Sequence, residues 1–138
     1  MAKILVATDG SENSVKAVKK ALEWAEKEGV QVTLISVAYY AREDFDEMPL
    51  NIQERLEAQA DTALKQAQEL FVEKGIPVQA ELEAGFVPAN NIIRRAEEGR
   101  FDHILMGSKG VSGLTRALIG STAAKVVAYS PCSVTVVK

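Results

Sequence analysis

Five short apolar runs alternate along this chain with four segments whose apolar residues recur at helical spacing, and that alternation narrows the folds open to it. The runs are 3–8 (KILVAT), 30–38 (VQVTLISVA), 78–82 (VQAEL), 102–106 (DHILM) and 133–137 (SVTVV). Bounded by Gly, Pro, Asp and Ser, they read as strands. Val15, Val18, Leu22 and Ala25 mark the first helix, which opens at a Ser11 cap with Glu12 in its first turn and stops at Gly29. Ile52, Leu56, Ala60, Ala63, Ala67, Leu70 and Phe71 mark the second, which follows Pro49 and ends before Gly75 and Pro77. Gly85 begins a connection, and Pro88 opens a third helix through Ile92, Ile93 and Ala96 that Gly99 closes. A fourth runs from Ser121 to Tyr129. The order β-α-β-α-β-α-β-α-β implies right-handed crossovers and an α/β fold: a parallel sheet with helices on both faces.

A length of 138 residues suits one domain over 1–138. With 47% hydrophobic and 25% charged residues, the chain is ordinary for a soluble globular protein, which argues against disorder and against a disulfide scaffold. Cys132 is the only cysteine, so no internal disulfide forms. The start, MAKILVATDGS, lacks an apolar leader, and no apolar run reaches the roughly 18–20 residues of a membrane span. The expectation is a cytoplasmic protein without a membrane partner. The net charge of −3 is a poor match for nucleic acid. A phosphate site here must therefore be local, built from backbone N–H groups and a few cations.

In doubly wound sheets, ligands bind outside the carboxyl ends of the strands, where the winding reverses. Asp9-Gly10-Ser11 follows the first strand, and Gly107-Ser108-Lys109-Gly110-Val111-Ser112-Gly113 follows the fourth. If those strands are neighbours, both loops open into one crevice. Gly107, Gly110, Gly113 and Gly120 permit positive φ and close approach of a ligand. Ser121 and Thr122 then open a helix, whose free N–H groups and dipole make an anion site. Successive loop N–H groups add a second anion-binding concavity. Lys109 and Arg116 are the nearest cations, although Arg116 reads better as a solvated surface charge. Asp9 is either a turn former ahead of the Ser11 cap or a ligand contact.

The spacing excludes several motifs: G-x-x-x-x-G-K-[ST], G-x-G-x-x-G and G-x-S-x-G are all absent. One histidine and one cysteine exclude most clustered zinc sites. His103 sits mid-strand and receives no role. Cys132 reads as a small buried thiol and Trp24 as packing, while Glu43–Glu47 reads as a solvated loop. No residue resembles a general base aimed at a γ-phosphate.

The spacing Gly107-x2-Gly110-x9-Gly120-Ser121 resembles the ATP-binding signature of universal stress proteins. The resemblance covers nearly the whole chain, through VATDGS, LISV, Gly85 with Pro88, MGSKGVSGLTRALIGSTAAKVV and SPCSVTVV. It implies a doubly wound five-stranded parallel sheet in the order 3-2-1-4-5. It further implies that Ala7, Thr8, Asp9 and Val37 hold adenine and ribose and that Met106 lines the floor. Gly107, Ser108, Lys109, Gly110, Val111, Ser112 and Gly113, with Gly120, Ser121, Thr122 and Ala123, would hold ribose and phosphates. The implied cofactors are ATP and Mg2+ or Mn2+, the metal carried by the phosphates with Asp9 as the nearest protein group. The last strand, less apolar than the family's usual one, is expected at the sheet edge, where it would pair two copies into a homodimer. On this reading the chain is a nucleotide-dependent regulatory or stress-response module with at most slow hydrolysis. The alternatives are an ATP-using enzyme of the same fold, such as a phospho- or adenylyltransferase, and an interaction protein with an empty crevice.

Overall fold

The computed structural model describes residues 2–40, 49–109 and 119–138. Strands β1 (Lys3–Ala7), β2 (Gln31–Tyr39), β3 (Gln79–Gly85), β4 (His103–Gly107) and β5 (Ser133–Val137) alternate with helices α1 (Glu12–Glu28), α2 (Leu50–Glu73), α3 (Pro88–Glu98) and α4 (Ser121–Tyr129). All strand pairs are parallel, and the sheet order is β3-β2-β1-β4-β5. The neighbouring positions of β1 and β4, on which a shared crevice depends, are therefore present.

Alternation along the strands builds a core on each side of the sheet. Ile4 and Val6 of β1, with Leu34 and Leu105, pack against Ala17, Val18, Ala21 and Leu22 of α1 and Leu64, Ala67 and Phe71 of α2. Leu5, Ile35, Ile104 and Met106 face the other way, onto Ala89, Ile92 and Ala96 of α3 and Ala123 and Val126 of α4. A period of two on the strands and near 3.6 on the helices is what lets each residue meet the correct layer. Among the described residues no helix is long and apolar enough to cross a membrane.

The ends of α1 follow the local chemistry of the chain. The Ser11 hydroxyl accepts from the Ser14 N–H, and Gly29 caps the other end at φ 69, a left-handed conformation in which a side chain is strained. Two details differ from the sequence reading, and a third, the Gly99 stop, holds for a steric reason. β3 runs on to Gly85, which ends the strand instead of starting a connection, because its ladder with β2 continues to Tyr39–Gly85. Leu64 joins the buried face of α2, whereas Ile52 lies exposed, since only the later turns of α2 cover the sheet. Gly99 closes α3 in a right-handed conformation, and a Cβ there would meet the Phe101 ring and the Arg95 guanidinium, so absence of bulk rather than positive φ sets that position.

Candidate functional site

β1 and β4 are short and β2 is long, and this mismatch creates the site. The β1–β2 ladder ends at Ala7–Ile35, while β2 continues beside β3 for four more residues to Tyr39. The Thr8 N–H donates to the Ile35 carbonyl at 3.0 Å, so odd-numbered residues of β2 aim their backbone groups toward β1. The Tyr40 N–H donates to the Gly85 carbonyl at 3.0 Å, which places the even-numbered groups on the β3 side. Beyond the tip of β1, the backbone groups of Val37 and Tyr39 therefore face the crevice instead of a neighbouring strand.

A cavity of about 990 Å³ fills that space. Its lining includes Ala7, Thr8, Asp9, Val37, Met106, Gly107, Ser108, Lys109, Gly120, Ser121, Thr122 and Ala123, which are twelve of the sixteen residues the sequence singles out. The other four, Gly110, Val111, Ser112 and Gly113, lie outside the described residues, as do Arg116 and the 41–48 part of the acidic loop.

A hydrogen-bonded scaffold holds the floor. Thr8 and Ser14 are buried with their hydroxyls 3.2 Å apart, and the Ser14 hydroxyl donates to the Ser11 carbonyl at 2.9 Å. The Ser11 N–H donates to Asp9 Oδ1 at 2.9 Å, so Asp9 shapes the turn into α1 and lines the cavity at once. Gly10 takes φ 83 in this turn. From the other side, Asn13 Nδ2 donates to Ser108 Oγ at 3.0 Å, the Ser108 N–H to the Val137 carbonyl at 2.8 Å, and the Gly120 N–H to the Ser108 carbonyl at 2.5 Å. Ser108 thereby ties together α1, β5 and the start of α4.

The glycines act differently from the sequence expectation. Gly120 is the N-cap of α4 at φ −75 and ψ 167, an extended conformation open to any residue. Gly120 has no side chain to cap with, so position 120 puts no hydroxyl or carboxylate over the first N–H groups of α4, whose residues Ser121–Ala123 line the cavity. Gly107 is required for closeness between elements: a Cβ there would sit 2.7 Å from the Ser14 N and 2.8 Å from the Asn13 carbonyl carbon. Neither of these two shows positive φ, and each glycine reads as space or as an uncapped helix start.

The cavity is electrically divided. Its charged lining residues among those described are Asp9, Lys109 and Lys125, all at the β1, β4 and α4 end. The end formed by β2, α2 and α3 is neutral, with Leu56, Gln59, Ala60 and Ile92 facing Ser36, Val37 and Ala38. Sequence reasoning missed Ser14, Asn13, Ser36, Gln59 and Lys125. A hydroxyl inside the apolar LISV run was the one available signal for Ser36. Tyr40, at the end of β2, donates to Glu57 on α2; that hydrogen bond, with burial and the Glu57 charge, pushes its phenol up to about 12.

His103 is the first residue of β4, not mid-strand, and lies at the opposite end of the sheet from the cavity. Its Nε2 lies 2.7 Å from Thr135 Oγ1 and its ring meets Trp24 edge-on at 5.3 Å, so both aromatic groups pack as structure. Burial lowers its imidazole from the ordinary 6.5. Cys132 is half-buried against the α3–α4 core with its thiol 3.6 Å from the Ser130 hydroxyl.

Comparison with known proteins agrees with this architecture. A universal stress protein of Methanocaldococcus jannaschii is 36% identical, with the match spanning 99% of this chain and 81% of the relative. The solved structure of UspA from Lactobacillus plantarum is 25% identical, covers 99% of this chain and 97% of its own, and superposes with a TM-score of 0.85. A more distant Arabidopsis thaliana structure, 21% identical over 100% of this chain and 92% of its own with a TM-score of 0.73, was solved with AMP bound. Other solved universal stress proteins of the same fold are complexes with cAMP or dAMP. The model of the universal stress protein family matches residues 1–138, and the chain belongs to that family.

Proposed function

We propose that the cavity binds ATP, with magnesium or manganese carried on the phosphates, and that the protein is a cytoplasmic, nucleotide-dependent regulatory module of the stress response. The division of the cavity carries this reading. A nucleotide is neutral and flat at one end and anionic at the other. The open backbone flank of β2 at Val37 offers both a donor and an acceptor to the edge of a base. At the other end the uncapped α4 N-terminus, Lys109 and Lys125 suit phosphate oxygens. The adenine nucleotides in the related structures support adenine as the base.

In this arrangement Ala7, Thr8, Asp9 and Val37 take the base and sugar, Met106 the floor, and Gly107–Lys109 with Gly120–Ala123 the sugar and phosphates. The loop residues Gly110, Val111, Ser112 and Gly113 complete the phosphate end. Asp9 spends one carboxylate oxygen on the Ser11 N–H, so its part in holding the metal is secondary to the phosphates. No described side chain of the cavity suits the role of a base poised on an attacking water, so turnover stays well below the roughly 1–10³ s⁻¹ of ordinary enzymes. The residues form one domain, and two copies pair through β5 at the sheet edge.

Calorimetric titration with ATP and magnesium tests the reading. The wild type takes up ATP, and Gly120→Val weakens it at least tenfold, the equivalent of about one charge-assisted hydrogen bond. The extended backbone at Gly120 accepts valine, so circular dichroism stays unchanged while the side chain occupies the phosphate end. Absence of ATP uptake by the wild type, or wild-type affinity in Gly120→Val, overturns the assignment.

A further inference from the structure

Ser36 is the one described residue whose buried side-chain oxygen has no hydrogen-bond partner, and it lines the cavity. It is 1% exposed, in the middle of β2. The register continues one step past Ala7–Ile35 to set Thr8 beside it, but the Thr8 hydroxyl is engaged with Ser14 and accepts from the Gly10 N–H. A buried hydroxyl left without a partner has given up its hydrogen bonds to water and gained none in return, which destabilises the fold. An alanine would fill the same space without that cost, as Ala38 does two residues along the same face.

The surroundings narrow what satisfies the hydroxyl. Ser36 belongs to the end of the cavity whose described lining is neutral, where Gln59 of α2 and Tyr39 of β2 are also polar and Leu56, Ala38 and Ala60 supply aliphatic walls. An anion is disfavoured there, because among the described lining residues the cations lie at the α4 end. An uncharged group that is flat, partly apolar and rich in hydrogen-bonding atoms matches the lining, which is the description of a heterocyclic base. Rotation about the single χ1 bond of Ser36 gives its hydroxyl a choice of staggered positions in which to meet a ligand.

We propose that Ser36 is a specificity-determining residue whose hydroxyl hydrogen-bonds the base of the bound nucleotide; this rests on the nucleotide reading of the same cavity. Ligand binding then removes an unsatisfied polar group as well as adding contacts, so the hydroxyl favours the occupied state over the empty one.

The test compares wild type with Ser36→Ala by three readouts: affinity for ATP, affinity for ribose 5-triphosphate, which lacks the base, and the melting temperature without ligand. The variant is expected to bind ATP about tenfold more weakly, the size of one well-placed hydrogen bond. Its affinity for ribose 5-triphosphate is unchanged, and its ligand-free melting temperature is equal or higher, because a partnerless hydroxyl has been removed. Unchanged ATP affinity overturns the proposal. So does equal weakening of both ligands, or a lower ligand-free melting temperature, which would mean that the hydroxyl serves the empty fold. Failure of the wild type itself to bind ATP removes the nucleotide reading and this proposal together, and is seen before any variant is compared.

Discussion

Replacing Gly107 by alanine tests the claim that this glycine exists to let β4 approach α1. Its backbone is outside the positive-φ region, so alanine adds no dihedral strain and the whole effect is collision. The new Cβ would stand 2.7 Å from the Ser14 N, 2.8 Å from the Asn13 carbonyl carbon and 2.9 Å from Asn13 Cβ. Two of the three are backbone atoms of the first turn of α1 and cannot rotate away. Relief requires α1 to slide, yet α1 is anchored by Ala17, Val18 and Ala21, all fully buried. Overpacking of this kind costs about 1–3 kcal/mol. For a chain of this size that is a fall in melting temperature of roughly 4–12 °C. The movement also stretches the Asn13–Ser108 and Ser11–Lys109 hydrogen bonds, so ATP affinity falls with stability. Gly29→Ala is the matched control. Position 29 has φ 69 and no atom within 4 Å of an added Cβ, so it pays only for the left-handed backbone, about 1 kcal/mol. Thermal denaturation followed by circular dichroism decides the matter. A Gly107→Ala variant that melts within about 1 °C of wild type refutes the close-packing argument.

Three further outcomes follow from the same geometry. Burial lowers the His103 imidazole from 6.5, so the unfolded chain takes up the proton first and this group's contribution is lost as pH falls through that value; His103→Gln flattens the dependence of the melting temperature just below pH 6.5, and identical pH profiles would contradict it. Tyr40 is held up to about 12 by Glu57, so absorbance titration shows a phenol ionising near there, after its unfolded counterpart near 10, and stability from this pair is lost between the two; Tyr40→Phe removes that transition and costs about 1 kcal/mol. At the open edge of the sheet, Val137 gives its carbonyl to the Ser108 N–H of the β4 side, so Val136 turns its N–H outward; Val136→Pro leaves the β4–β5 ladder intact and yields monomer in sedimentation, whereas an unmodified protein already monomeric at roughly tens of micromolar would rule out pairing through β5.

The parts of this molecule that were legible in the sequence are those governed by neighbours along the chain. Strand alternation, the Ser11 cap, the Gly29 stop and Pro88 at the start of α3 are local, and each element lies where those residues put it. The glycine spacing led to Gly107–Lys109 and Gly120–Ala123, which line one cavity, because that spacing measures a loop and the helix start after it, while Ala7, Thr8, Val37 and Met106 came only from the family resemblance. What the chain did not reveal is set between elements. The reason for Gly107 is the backbone of Asn13 and Ser14, more than ninety positions away. The importance of Ser36 depends on Thr8 being engaged with Ser14, and on where the β1 ladder stops. His103 read as mid-strand because Asp102 continues the run, but Asp102 instead accepts from the Lys3 N–H and closes the turn before β4.

Strand length is therefore the variable that makes a site from a common sheet. β1 and β4 have five residues each, and β2 between β1 and β3 has nine. Were β1 longer by two residues, the backbone groups of Val37 would be consumed by the ladder and the neutral end of the cavity would close. The turn at Asp9-Gly10 ends β1 early, with Gly10 at φ 83 and its Cβ position only 3.3 Å from Ala63 Cβ, so the chain bends away beneath α2. The same turn starts α1 at once, which brings Asn13 to Ser108 and fixes the α4 end. One tight turn thus exposes the β2 flank at one end of the crevice and positions the uncapped helix start at the other. On the proposed nucleotide reading, base recognition by that flank would use backbone atoms, which would leave side chains such as Ser36 free to adjust selectivity without rebuilding the pocket.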